Sequence, residues 1–244
     1  MVRGHFSGEI WLVIAKKAKR RTGQYRKDLA MIYCISDIHG DLDKFHAMLE
    51  RIHFSKEDVL YIIGDVIDRL PDGINLLKEI MIAPNMVMLL GNHEEMCLNT
   101  LGPKNTYGSR ELWCQNGGDC TYQELVHICS LQERQKIIEF LGALPDHLEI
   151  QVGRQSFYLV HGIPSERRDE RIWGRPVPSA PPPFPNRTAI VGHTPTCFLA
   201  GKQSGPYSIW HGNGIIDIDC GCGSEDKNSR LACLRLDDLK EFYV

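Results

Sequence analysis

From residue 31 onward the chain alternates between two hydrophobic periods. "MIYCIS" (31–36) is a short apolar run, and behind it Leu42, Phe45, Leu49 and Ile52 recur at helical spacing. "DVLYIIGD" (58–65) is a second apolar run. It leads to "GINLLKEIMI" (73–82), a predicted helix introduced by Pro71 and Asp72. "NMVMLLGNHEE" (85–95) predicts a third strand running into a third helix, and residues 95–145 read as helical, most clearly "LQERQKIIEFLGAL" (131–144). Strands that alternate with helices imply parallel strands joined by crossovers.

After Pro145 the pattern changes. "HLEIQVGRQSFYLVHG" (147–162) predicts a hairpin turning near Gly153 and Arg154. "PVPSAPPPFP" (176–185) can enter neither a helix nor a central strand and reads as a surface excursion. "TAIVGHT" (188–194), "GIIDIDCG" (214–221) and "SRLACLRL" (229–236) predict three more strands. There is no internal repeat and no clean linker, so the expectation is one α/β domain of two packed β-sheets flanked by helices.

Polar residues end the apolar runs in a repeated way. "SDIHG" brings Asp37 and His39, "GDVIDR" brings Asp65, Asp68 and Arg69, and "GNHE" brings Asn92 and His93; "VHG" and "VGHT" add His161 and His193. In open α/β sheets the strand ends surround the ligand crevice, so these five segments should converge. Oxygen and imidazole donors without thiolates suit divalent manganese, iron or zinc. Six ligands exceed what one catalytic ion with open positions takes. They suit two ions about 3.5–4 Å apart that share a carboxylate, acidify a water and clamp a phosphoryl group. Arg69 can fork onto phosphate oxygens. His93 can protonate a leaving oxygen if a carboxylate such as Asp68 keeps it charged.

Composition narrows the field without choosing a function. The chain has 244 residues, 43% apolar and 24% charged, which is ordinary for a globular protein. Its net charge of −3 hides an asymmetry: residues 1–30 carry eight Lys/Arg against two Asp/Glu, leaving −9 for residues 31–244. An acidic body argues against a nucleic-acid partner and suits a cation-holding cleft. No apolar run is long enough to span a membrane. The basic cluster "KKAKRR" follows the apolar "IWLVIA" (10–15), the reverse of a secretory signal. Nine scattered cysteines, with Cys220 and Cys222 lacking a partner pair at zinc-site spacing, read as reduced thiols of a cytoplasmic protein. Residues 1–30 are expected to be a basic extension, disordered or not native, upstream of a start at Met31; an amphipathic segment that touches a membrane surface or an acidic partner is the other reading. The catalytic unit is expected over 31–244.

The motifs "SDIHG", "GDVIDR", "GNHE", "HG" and "GHT", in that order, resemble the five motifs of the phosphoprotein phosphatase family of metallophosphoesterases. The resemblance runs from about residue 32 to the end and is nearest to compact bacterial and phage serine/threonine phosphatases; "LWCQNGG" (112–118) and "IWGR" (172–175) add to it. It implies the calcineurin-like sandwich of two mixed β-sheets. It further implies that Asp37, His39 and Asp65 hold a first metal, and that Asp65, Asn92, His161 and His193 hold a second, with Asp65 bridging. His93 paired with Asp68 would be the general acid, Arg69 and Arg175 would grip phosphate, and metal-held water would attack phosphorus with no phosphoenzyme. Two ions, manganese first among them, are the implied cofactors. The implied substrate is phosphoserine or phosphothreonine in proteins. Another branch with the same core hydrolyses symmetrical dinucleoside tetraphosphates, and segments 102–118 and 164–187 decide between the two. Ser36 and Leu70 stand where the family often has glycine, with small effects expected, and the eukaryotic C-terminal loop motif is replaced by "IDCGCG". The remaining histidines (His5, His46, His53, His127, His147, His211) are expected at the surface or in packing, and the tryptophans Trp113 and Trp173 are expected to pack around the site, with direct stacking on substrate as the other reading. A scaffold that has lost catalysis is disfavoured, because every ligand, the acid and its partner are present.

Overall fold

The structure is a computed structural model in which residues 30–201 and 205–244 are described. The expectations for residues 1–29, including His5, lie outside them. Within the described residues the apolar runs become strands β1 (Ile32–Ile35), β2 (Val59–Ile62) and β3 (Met86–Met88). The hairpin β4 (His147–Val152) and β5 (Gln155–Val160) follows, then β6 (Thr188–Val191), β7 (Trp210–His211), β8 (Ile215–Asp217), β9 (Ala232–Arg235) and β10 (Lys240–Tyr243). They form two five-stranded mixed sheets, ordered β10-β9-β1-β2-β3 and β4-β5-β6-β8-β7. β1, β2 and β3 are parallel, as are β5, β6 and β8, while β9, β10, β4 and β7 pair antiparallel at the flanks.

Alternation along each strand divides the core into layers. Tyr33 and Ile35, with Leu60 and Ile62, pack on one face of the first sheet against helices α1 (Leu42–Arg51) and α2 (Gly73–Ile82). Cys34, Tyr61 and Ile63 point the other way and meet Phe157, Leu159, Ile190 and Ile216 of the second sheet. Because both faces of these strands are covered, they read as unbroken apolar runs in the sequence. α1 begins where Asp41 accepts a hydrogen bond from the Lys44 backbone N–H (3.0 Å), and it buries Phe45 and Met48 completely. Full burial of such a side chain contributes about 1.5–3 kcal/mol.

Helix α3 (Asn92–Leu101) follows β3, then the short α4 (Ser109–Gln115) and α5 (Asp119–Gln123), a single π turn, and α6 (Leu131–Gly142), capped by Ser130 and Glu133. A last helix, α7 (Arg168–Trp173), lies between β5 and β6. The proline-rich loop is more than an excursion. Its Phe184 packs on the outer face of the second sheet, 5.0 Å from the Tyr158 ring, beside Val160, Ala189 and Val191. No helix among the described residues is long and apolar enough to cross a membrane.

Candidate metal centre

The loops after β1, β2, β3, β5 and β6 converge as the strand-end pattern predicts, and they do so through unusual backbone. Eight described non-glycine residues have positive φ, and six of them are Asp37, His39, Asp65, Asp68, Arg69 and His193. Such conformations cost on the order of 1 kcal/mol or more each, and they persist where the surrounding structure over-determines them. Two glycines make the convergence possible. A Cβ on Gly64 would come within 2.6 Å of the Gly91 Cα, and one on Gly91 would come within 2.2 Å of Asp65 Oδ1.

Asp65 stands at the centre. Its Oδ1 accepts the His93 backbone N–H (3.0 Å) at the start of α3, where the helix terminus favours negative charge. Its Oδ2 faces three imidazoles: His161 Nε2 at 3.3 Å, and His39 Nε2 and His93 Nε2 at 3.8 Å each. Burial works against ionisation, but His161 and His93 hold the Asp65 carboxyl well below its usual range. On one side, His39 Nε2 lies 3.9 Å from Asp37 Oδ1. On the other, Asn92 Oδ1 lies 2.9 Å from His161 Nε2 and 2.8 Å from His193 Nδ1.

The donor set fits divalent ions. His39 directs Nδ1 at the Ile67 carbonyl (3.1 Å) and His161 directs Nδ1 at the Ile63 carbonyl (2.8 Å), which turns each Nε2 into the centre, where it can serve as a metal donor once it carries no proton. The His39 Nε2 is fully buried and has no hydrogen-bond partner, an arrangement that a ligand position explains. Burial, then His93 and Arg69, keep His39 well below its ordinary pKa, hence neutral. Burial opposes charge on His161 as well, yet Asp65 pushes it up to about 10, so this point attracts positive charge. Two groups of three residues have donor atoms within 4.8 Å of one another: Asp65, His161 and His193, and His39, Asp65 and His93. The second group substitutes His93 for Asp37. Asp37 Oδ1 lies beside that group, 3.9 Å from His39 Nε2.

The expected acid and its partner meet directly, with His93 Nδ1 2.7 Å from Asp68 Oδ2. Burial lowers the His93 pKa, but Asp65 and Asp68 outweigh it and hold the imidazolium above its usual range. Arg175 Nη1 lies 3.4 Å from the His193 carbonyl and from Thr194 Oγ1, so it borders the second cluster. Arg69 follows Asp68, with its backbone N–H donating to the Gly117 carbonyl (2.9 Å). His46, His147 and His211 pair with Glu79, Asp146 and Glu241 away from the centre. All nine cysteines are free, and burial pushes Cys222 up to about 12.

Sequence reading missed several supporting groups. Glu94 is fully buried and accepts backbone N–H bonds from Asp65 (2.9 Å), Val66 (2.9 Å), Ile67 (3.4 Å) and Gly91 (3.1 Å). Burial and Asp65 push it up to about 7, while those N–H groups pull it back. An acidic residue at the third position of a helix is a capping signal that could have pointed to it. Ser36 is more than a neutral replacement, because its hydroxyl bonds to Asp37 Oδ2. Trp173 donates to Glu95 Oε2 (2.7 Å) and stands edge-on to His193, with ring centroids 6.0 Å apart. Asp217 and Asp219 are buried nearby, and burial raises both.

A family model described as calcineurin-like phosphoesterase matches residues 30–214. The chain belongs to this family. Its members imply bound divalent ions, which the two His/Asp clusters of this calcineurin-like phosphoesterase could hold. Among curated proteins, the chain is 45% identical over 65 residues to a symmetrical bis(5'-nucleosyl)-tetraphosphatase of Delftia acidovorans, covering 26% of this chain and 23% of that protein. It is 28% identical over 134 residues to serine/threonine-protein phosphatase 2 of Escherichia coli, covering 53% and 57%. The chain thus spans less than two thirds of either relative. Among solved structures, a metallophosphoesterase from Sphaerobacter thermophilus matches with a TM-score of 0.55 at 20% identity, over 88% of each chain. A protein serine/threonine phosphatase from Saccharomyces cerevisiae matches with 0.58 at 12% identity, over 89% of this chain and 80% of that one. At such identities the likeness shows the fold alone.

Proposed function

We propose that residues 31–244 form the catalytic unit of a metal-dependent phosphoesterase that acts on phosphomonoesters, with phosphoserine and phosphothreonine in proteins as its substrates. The reading rests chiefly on one observation, the pairing of His93 with Asp68 beside Asp65 Oδ2. A serine or threonine alkoxide leaves poorly unless it is protonated as it departs, and a carboxylate-held imidazolium is the donor that departure needs.

In this reading Asp37, His39 and Asp65 hold one divalent ion, and Asp65, Asn92, His161 and His193 hold the other. Manganese is expected, although the same donors accept iron or zinc. When bound, the ions supply Lewis-acid polarisation of the phosphoryl oxygens and an acidified water. The chain's own residues do the rest. Arg69 and Arg175 grip and orient the phosphoryl group, His93 delivers its Nε2 proton to the departing oxygen, and Asp68 orients the imidazole through Nδ1.

The 45% identity to the Delftia acidovorans protein favours a second substrate class, symmetrical dinucleoside tetraphosphates, on the same core. Their nucleotide leaving group needs less proton donation. The test compares kcat/KM on a phosphothreonine peptide and on diadenosine tetraphosphate in the manganese-loaded protein. Higher kcat/KM on the peptide supports the first reading, and a hundredfold preference for the dinucleotide replaces it with the second.

A further inference from the structure

Trp113 is completely buried in α4, and its indole N–H donates to Asp68 Oδ2 at 2.6 Å. That oxygen is the one 2.7 Å from His93 Nδ1, whereas Asp68 Oδ1 is buried without a hydrogen-bond partner. Two N–H donors therefore converge on a single carboxylate oxygen, and any rotation of the carboxylate about its side-chain bonds abandons both. We propose that Trp113 is a positioning residue for the proton donor: its N–H locks the Asp68 carboxylate in the orientation from which Oδ2 aligns His93. The inference rests on the reading of His93 as general acid given above.

The surroundings show why this lock is needed. Asp68 and Arg69 are consecutive non-glycine residues at φ 75° and 69°, a conformation that relaxes unless it is gripped. The chain around Trp113 supplies the grip. The Asp68 backbone N–H donates to Thr121 Oγ1 (3.1 Å), the Arg69 N–H donates to the Gly117 carbonyl (2.9 Å), and the Cys120 thiol lies 3.5 Å from the Leu70 carbonyl. Backbone contacts fix the main chain of Asp68, but among the described residues only Trp113 and His93 hydrogen-bond to its carboxylate oxygens.

The Trp113 ring is itself closely packed. It stands edge-on to Tyr122 at 6.1 Å, and a Cβ on Gly118 would come within 2.3 Å of the indole, so the "NGG" turn folds directly onto its face. A tryptophan that serves only as core filler also seeks a partner for its N–H. Such a filler has no reason to alter one chemical step more than another, and this contrast defines the test.

The manganese-loaded wild type, Trp113→Phe and His93→Asn are compared on two aryl phosphates, phenyl phosphate with a poor leaving group and 2,4-dinitrophenyl phosphate with a good one. The loss in kcat caused by Trp113→Phe is expected to be about tenfold greater on phenyl phosphate, the range of one hydrogen bond to a charged group. Equal losses on both substrates, with His93→Asn still discriminating between them, overturn the role of Trp113 and leave His93 as the acid. Absence of discrimination in His93→Asn overturns the reading of His93, and the inference with it. Should Trp113→Phe fail to fold, the indole proton of Trp113 decides. It is assigned by elimination with phenylalanine variants of Trp11, Trp173 and Trp210 in 15N-labelled protein. A downfield resonance that moves upfield in Asp68→Ala supports the bond, and an unmoved one refutes it.

Discussion

Glu94→Gln isolates what a buried carboxylate contributes to the scaffold of this centre. The substitution keeps shape and volume but turns one acceptor into a donor. Glu94 Oε2 receives the Asp65 and Gly91 N–H groups, and Oε1 receives those of Val66 and Ile67. Whichever way the new amide points, two buried backbone donors face another donor. At about 1–3 kcal/mol for each unsatisfied donor, the loss is about 2–6 kcal/mol. The long Ile67 contact of 3.4 Å draws the figure toward the lower half if the amide faces that side. For a domain of this size the melting temperature falls roughly 2–4 °C per kcal/mol, so a drop on the order of 10 °C is expected. Urea unfolding of the metal-free protein at pH 8, above the pKa of about 7 for Glu94, measures the effect by far-UV circular dichroism. A loss below about 0.5 kcal/mol, the range of a surface substitution, would refute the assignment of these four bonds. The consequence reaches the centre as well. The Asp65 N–H is one of the four donors and Asp65 holds φ 54°, so its carboxylate should lose its aim and metal affinity should fall with stability.

Asp65→Asn should greatly weaken binding of both ions, read as metal content after dialysis against manganese, because the same carboxylate faces both clusters; retention of two ions would remove Asp65 from the bridging position. Stripping the wild type of metal should abolish turnover on para-nitrophenyl phosphate, and manganese should restore it; the ion should also raise the melting temperature, at about 2.7 kcal/mol when present at a hundred times its dissociation constant. Gly192→Ala should cripple the centre, since a Cβ there would meet Ser36 Oγ at 2.0 Å and Asp37 Oδ2 at 2.4 Å; a variant with normal metal stoichiometry and turnover would show that this contact relaxes freely. Arg175→Ala should raise KM for a phosphopeptide more than it lowers kcat, and steady-state kinetics with the reverse split would deny Arg175 a role in substrate binding.

The sequence by itself determined the elements that carry a local signal. The runs that became β1, β2, β5 and β6 are covered on both faces, so their apolar character is written without interruption. α2 spans Gly73–Ile82, the predicted range, because its apolar spacing and its start signal agree. Asp37, His39, Asp65, Asn92, His161 and His193 were legible as candidates because each follows an apolar run and all but Asp37 adjoin a glycine, a pattern that needs no tertiary contact to be seen. Weaker signals went unread. β7 has two residues, and β10 is a partly exposed edge strand of four, so neither offers a run to detect.

Only the tertiary structure decided how the centre is held. Glu94 looks like any acidic residue in a first helical turn until β2 and β3 bring four backbone N–H groups around it. Trp113 looks like core filler until the turn after α4 folds its indole onto Asp68, 45 residues away in the chain. Phe184 sits in a proline-rich loop whose composition says nothing of the sheet face it covers. Strand periodicity and candidate metal donors are properties of short stretches of chain. Hydrogen bonds that aim a carboxylate or an imidazole join residues whose separation in sequence carries no trace of their meeting, and they exist only once the two sheets have packed.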